Sequence, residues 1–145
     1  KKPLGTGGAL RLASNRITNS RFLALNGDSF TDLNFEDIYE LGKKSKIVLS
    51  AVEVPDVSRY GVLKINKSGV VTSIGEKNNS GKGYINGGVY SISKSIFHSV
   101  DEDSFSLEKD VFPNYVNKML SLKVQGYFVD IGIPEDFYLF EQHTR

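Results

Sequence analysis

Two acids follow apolar runs that read as buried strands. Asp28 closes the turn Asn26-Gly27-Asp28 directly after Phe22-Leu23-Ala24-Leu25, and Asp130 follows Val129 at the end of another apolar stretch. A carboxylate at the carboxyl end of a strand can offer a hard oxygen to Mg²⁺ beside phosphates, because ligands of open α/β sheets bind there. Each acid also has an architectural explanation. Asn-Gly-Asp forms tight turns, and an Asp shortly before Pro134 can cap a helix. Glu76-Lys77 joins an acceptor for sugar hydroxyls to a point charge for phosphate, or is a solvated surface pair. Asn86-Gly87-Gly88 sets an amide beside bare backbone, which suits a polyhydroxylated ligand; the alternative is a bulge in a strand. Gly5-Thr6-Gly7-Gly8 opens a helix, where free N–H groups and the positive dipole end can meet an anion or a base edge. Its spacing is not G-x-G-x-x-G, since position 10 is Leu, and the other reading is a flexible helix entry. Asp101-Glu102-Asp103 reads as a solvated run before a helix.

These residues need elements to hold them. The apolar spacing of Ala9, Leu10, Leu12, Ala13 and Ile17 predicts a helix over 6–17 with Thr6 as a cap. A continuous apolar run predicts a strand at 22–25, buried on both faces, and the largely apolar 47–52 predicts a second buried-type strand. Asn34 caps a short helix over 35–41. The segments 61–65 and 70–74 flank Asn66-Lys67-Ser68-Gly69, which predicts a hairpin. A strand is expected over 84–92, a helical turn near 93–97, and a helix from Ser106 interrupted at Pro113. A last strand is expected over 122–129 and a last helix over 134–140, opened by Pro-Glu-Asp. Helices alternating with buried strands, with one intruding hairpin, predict a single layered α/β domain over 1–145 with a mixed sheet.

Composition narrows the chemistry. The 145 residues carry 18 basic and 17 acidic side chains, so no strong field draws the chain to nucleic acid or to an anionic membrane. No apolar run approaches the length that spans a bilayer. The absence of cysteine removes disulfides, thiolate nucleophiles and Cys-based zinc sites. Two histidines, His98 and His143, leave little for a histidine-based metal cluster.

Read in order, Pro3-Leu4-Gly5-Thr6-Gly7-Gly8-Ala9-Leu10, Asn26-Gly27-Asp28, Tyr60-Gly61, Glu76-Lys77, Ile85-Asn86-Gly87-Gly88-Val89-Tyr90 and Asp130-Ile131-Gly132-Ile133-Pro134-Glu135-Asp136 resemble the sugar-1-phosphate nucleotidylyltransferases. Within that family the chain is most similar to the small, single-domain guanylyltransferases acting on heptose or mannose 1-phosphate. The resemblance implies a Rossmann-like, GT-A-like fold with a mixed, mostly parallel sheet and an inserted β-hairpin. It implies a cytoplasmic, Mg²⁺-dependent enzyme that joins a nucleoside triphosphate (GTP by the subgroup likeness) to a sugar 1-phosphate, giving NDP-sugar and pyrophosphate. Asp28 and Asp130 resemble the metal ligands, and Lys77 the lysine on the sugar phosphate. Gly7 and Gly8 resemble the backbone platform beside the nucleobase. Gly61, Glu76 and Asn86 resemble sugar contacts, with Gly87 packed under the sugar. Neither the oligomeric state nor the identity of the sugar follows from the resemblance.

One departure stands out. The family's glycine-rich loop, G-G-x-G-T-R-L followed by Lys-Pro, wraps the triphosphate and lies upstream of the segments matched here. At 30 or more residues per βαβ unit, about 70–80 residues are expected ahead of Lys1. Without them apolar strand edges are expected to be open, and the 145-residue chain alone is expected to show little or no turnover. Two other classes remain: a nucleotide-sugar binding module without catalysis, and a metal-dependent glycosyltransferase using Asp101-Glu102-Asp103.

Overall fold

The computed structural model describes residues 2–75, 80–132 and 134–143, the side chains of Glu135, Leu139 and His143 apart. Among the described residues eight strands and three helices follow one another: α1 Gly5–Ser14, β1 Arg21–Leu25, β2 Ser29–Thr31, α2 Phe35–Gly42, β3 Ile47–Val54, β4 Val62–Ile65, β5 Val71–Ile74, β6 Gly83–Ser93, β7 Leu120–Val124, β8 Phe128–Asp130 and α3 Pro134–His143. Short helical turns over 94–99, 107–111 and 112–115 join β6 to β7. None of these helices is long and apolar enough to cross a membrane.

The main sheet runs β5-β4-β6-β3-β7, and β1 pairs with the far half of β6 on the same edge as β4. The sheet is mixed, as expected. β1, β3, β4 and β7 point one way and β5 and β6 the other, so most strands share a direction. The hydrogen-bonded pairs are nevertheless mainly antiparallel, because β6 lies between its three partners; only β3–β7 is a parallel pair. A second, two-stranded sheet pairs β2 with β8.

Alternation along the strands divides the core into layers. Leu23, Val48, Val89, Leu120 and Leu122 face α2, whose Ile38 is fully buried among them. Phe22, Ala24, Ile47, Leu49, Tyr90 and Ile92 face the other way, against Ile96, Phe97, Phe105, Leu107 and Phe112 of the 94–115 segment. Fully burying one such side chain contributes about 1.5–3 kcal/mol. The 35–41 helix has the expected cap, with the Glu36 N–H donating to Asn34 Oδ1 at 2.9 Å. The hairpin β4–β5 forms as expected, and Asn66 Oδ1 accepts from the Ser68 and Val70 N–H groups in its loop.

Three expectations are corrected. The helix expected over 6–17 ends at Ser14, and it buries Gly7, Gly8 and Ser14 rather than its larger apolar residues. Leu12 stays 61% exposed, because small residues let the opposite face approach its neighbour more closely. Thr6 is not the cap; Leu4 occupies that position without a side-chain bond. The strand expected over 122–129 is two strands in different sheets, broken around Gly126, where a Cβ would lie 2.4 Å from the Asp32 carbonyl oxygen. β1 is less enclosed than its composition suggests: no strand among the described residues covers its other edge, and Leu25 is 54% exposed.

A wide bulge interrupts the central pairing. Leu49 opposes Tyr90 and Ala51 opposes Asn86, so Ser50 alone faces Gly87, Gly88 and Val89. Gly88 has a positive φ of 76°, the left-handed region that glycine enters without cost. Ser50 is fully buried, and its hydroxyl accepts the Val89 N–H at 3.1 Å. Ser50→Ala leaves that donor buried and unpaired, and is expected to lower the unfolding free energy by about 1–3 kcal/mol. Urea titration checks this: the midpoint should fall with an unchanged slope.

Candidate functional site

The β2–β8 pairing brings the two acids together. Ser29 opposes Asp130 in that register, so Asp28 lies one residue beyond the pair. Gly132 then ties both ends. Its N–H lies 3.2 Å from the Asp28 carbonyl oxygen and 3.2 Å from Asp130 Oδ1. A Cβ on Gly132 would stand 3.1 Å from Asp130 Oδ1 and 3.6 Å from Asp28 Oδ2, so both carboxylates converge on the space that glycine leaves open. Among the described residues neither carboxylate has a lysine or arginine partner. Two exposed or half-exposed carboxylates with free oxygens fit a magnesium ion, which retains waters and takes one or two protein carboxylates together with substrate phosphates.

Asp28 also lines a cleft of about 470 Å³ with Asn26, Gly27, Thr6, Leu10, Tyr90 and Glu108. A second cleft, of about 710 Å³, is lined by Tyr60, Gly61, Gly75, Asn86, Glu108 and Lys109 over a floor of Leu49 and Phe112. Both volumes suit small ligands. Glu108 lines both. Asn86 Oδ1 accepts the Gly88 N–H at 3.0 Å and its Nδ2 donates to the Tyr90 hydroxyl at 2.8 Å. That leaves one N–H and one lone pair of the Asn86 amide for a ligand. Gly87 is buried beneath, where a Cβ would come within 2.6 Å of Ser50 Oγ.

The residues singled out from sequence therefore fall into four groups. Asp28 and Asp130 meet at Gly132, while Gly61 and Asn86 share the larger cleft. Glu76 and Lys77 lie outside the described residues. Gly7 and Gly8 correct the expectation of free N–H groups: both donate to the Phe105 carbonyl oxygen, at 3.0 and 3.3 Å. Cβ atoms there would meet the Phe105 ring at 2.3 Å and the Asp103 carbonyl oxygen at 2.4 Å, so these glycines let α1 seat against the 103–107 segment. The acidic triplet serves the same contact. Asp103 Oδ1 and the Val100 and Glu102 carbonyls accept from Arg11.

Sequence reasoning missed Glu108, and it named Thr6 and Tyr90 only as members of the 5–8 and 85–90 motifs, Thr6 also as a helix cap, with no place at a cleft. Nothing in their spacing announces them, because α1, β6 and the 107–111 turn meet only in the folded chain. Arg59 was missed for the same reason: it pairs with Asp136 at 2.8 Å, and that hydrogen bond raises its pKa.

Burial pushes the Tyr90 phenol above its ordinary range, so it stays a neutral hydroxyl beside Asn86. A phenol with a raised folded-state pKa stabilises the fold fully below its unfolded value of about 10, and that contribution is lost as the pH rises beyond it. The melting temperature of Tyr90→Phe should therefore fall less steeply than that of the unaltered protein above about pH 10, as thermal unfolding across an alkaline pH series would record.

A family model described as nucleotidyl transferase matches residues 1–145. The chain is 37% identical over 142 residues to a D-glycero-alpha-D-manno-heptose 1-phosphate guanylyltransferase of Campylobacter jejuni, covering 97% of this chain and 63% of that protein. It is 36% identical over 149 residues to mannose-1-phosphate guanyltransferase beta-B of Xenopus laevis, covering 94% of this chain and 40% of that protein. The crystal structure of HddC from Yersinia pseudotuberculosis superimposes with a TM-score of 0.91 at 40% identity, covering all of this chain and 64% of HddC; HddC complexed with GMP-PN gives 0.90. The chain thus spans less than two thirds of the length of these relatives.

Proposed function

Because the chain belongs to the nucleotidyl transferase family, we propose that the protein is a sugar-1-phosphate guanylyltransferase. It transfers GMP from GTP to a heptose or mannose 1-phosphate and releases pyrophosphate, in the cytoplasm. The observation that carries this reading is the convergence of Asp28 and Asp130 on Gly132, beside two clefts that meet at Glu108. The names of the relatives, heptose and mannose guanylyltransferases, support the choice of base and of sugar class.

A phosphate oxygen of the sugar 1-phosphate attacks the α-phosphorus of GTP. The bond from α-phosphorus to its bridging oxygen breaks, and pyrophosphate leaves in line. Both reactants are anions, so alignment and charge compensation matter more than an acid or a base. A bound Mg²⁺ supplies charge neutralisation on the phosphates, and Asp28 and Asp130 are the residues that would hold it. Lys77 steadies the sugar phosphate as a point charge. Glu76, the Gly61 backbone and the remaining capacity of the Asn86 amide take sugar hydroxyls, with Gly87 beneath them. Gly7 and Gly8 act on the nucleotide side by seating α1 close to the first cleft.

Removing either carboxylate should abolish most turnover while sparing the fold. In the whole protein, Asp28→Asn and Asp130→Asn are each expected to lower kcat about 10²–10³-fold, in line with the loss of one electrostatic group at a developing charge. Pyrophosphate release, followed with GTP and the 1-phosphates of heptose, mannose and glucose, tests the proposal. Unaltered protein that releases no pyrophosphate with any of them would refute it. Full turnover by both variants would remove the two acids from it.

A further inference from the structure

Glu108 lines both clefts. Its Oε2 accepts from Thr6 Oγ1 at 3.0 Å and from Ser106 Oγ at 3.1 Å. Thr6 is itself set by the Leu107 N–H, which donates to its hydroxyl at 2.9 Å. The carboxylate is therefore held from the side of α1, and its second oxygen has no hydrogen-bond partner among the described residues. A half-buried carboxylate that is already oriented, with one oxygen unused, is an acceptor waiting for a donor. Its charge repels phosphate and favours hydroxyl groups. Thr6, Asp28 and Glu108 line one cleft, while Gly61, Asn86 and Glu108 line the larger one.

We propose that Glu108 is a specificity-determining residue that accepts a hydrogen bond from a hydroxyl of the sugar 1-phosphate in the cleft shared with Gly61 and Asn86. The proposal rests on the guanylyltransferase reading above and adds to it a contact from the segment that clamps α1. Thr6 and Ser106 are positioning residues: they fix one carboxylate oxygen so that the other meets the sugar at little entropic cost.

The test uses the whole protein and separates the two substrates. Glu108→Gln keeps the shape and weakens the acceptor. It is expected to raise the KM for the sugar 1-phosphate about ten- to a hundredfold, the worth of a hydrogen bond to a charged group, with the KM for GTP changed less than about twofold. A set of deoxy sugar 1-phosphates, each lacking one hydroxyl, identifies the donor. One of them should be a poor substrate for the unaltered protein, and Glu108→Gln should no longer distinguish it from the parent sugar. Glu108→Asp keeps the charge but draws the free oxygen back; it should show the same split and serves where the Gln variant does not fold. Equal rises in both KM values, an unchanged sugar-phosphate KM, or undiminished discrimination among the deoxy sugars would overturn the proposal while leaving the guanylyltransferase reading intact. No turnover by the unaltered protein with any sugar 1-phosphate would overturn both.

Discussion

The site depends on one irregularity in the central sheet. Where β3 supplies Ser50 alone, β6 supplies Gly87, Gly88 and Val89. Buried backbone groups in such a bulge must find partners or cost about 1–3 kcal/mol each, and here neighbouring elements provide them. The Ser50 hydroxyl takes the Val89 N–H, and the Asn86 side chain takes the Gly88 N–H. The Thr31 hydroxyl donates to the Gly87 carbonyl, and the Asn26 N–H to the Gly88 carbonyl. Each of these bonds also positions something else. Asn26 begins the turn that carries Asp28. Thr31 ends β2, whose register with β8 sets Asp28 beside Asp130. Asn86 aims its remaining capacity into the larger cleft. The bulge is thus the joint between the acids and the larger cleft.

A second constraint is the close docking of α1 on the 103–108 segment. Gly5, Gly7 and Gly8 have no room for a Cβ against Phe105 and Asp103, and Arg11 closes the far side by donating to two carbonyls and pairing with Asp103. The exposed ion pair adds little by itself; the approach of the backbones is what brings Thr6 to Glu108. Glycines with the look of a ligand loop therefore act through packing, and the carboxylate that lines both clefts comes from the other side of the contact.

Much of the fold was legible because local signals act over short distances. Asn34 ahead of Phe35, the Asn66–Gly69 loop between two apolar runs, and the largely apolar Ile47–Val52 run each specify an element through its own local chemistry. The failures share a cause. The face that α1 buries, the division of 120–130 into two strands and the existence of β2 are decided by partners distant in sequence, among them Phe105, Asp32 and Asp130.

By itself the sequence determined the inventory of chemistry. Carboxylates at strand ends and an amide beside paired glycines are its groups, the absence of cysteine excludes a thiol nucleophile, and only their order resembles a family of metal-assisted phosphate chemistry. Only the tertiary structure decided which of those groups meet. Asp28 and Asp130 are 102 positions apart and share one gap at Gly132, and Glu108 joins two clefts because α1 and the 107–111 turn close on each other. The physical reason is range: capping, turn formation and alternation are settled within a few residues, whereas convergence of side chains depends on the register of distant strands and on how closely their backbones can pack.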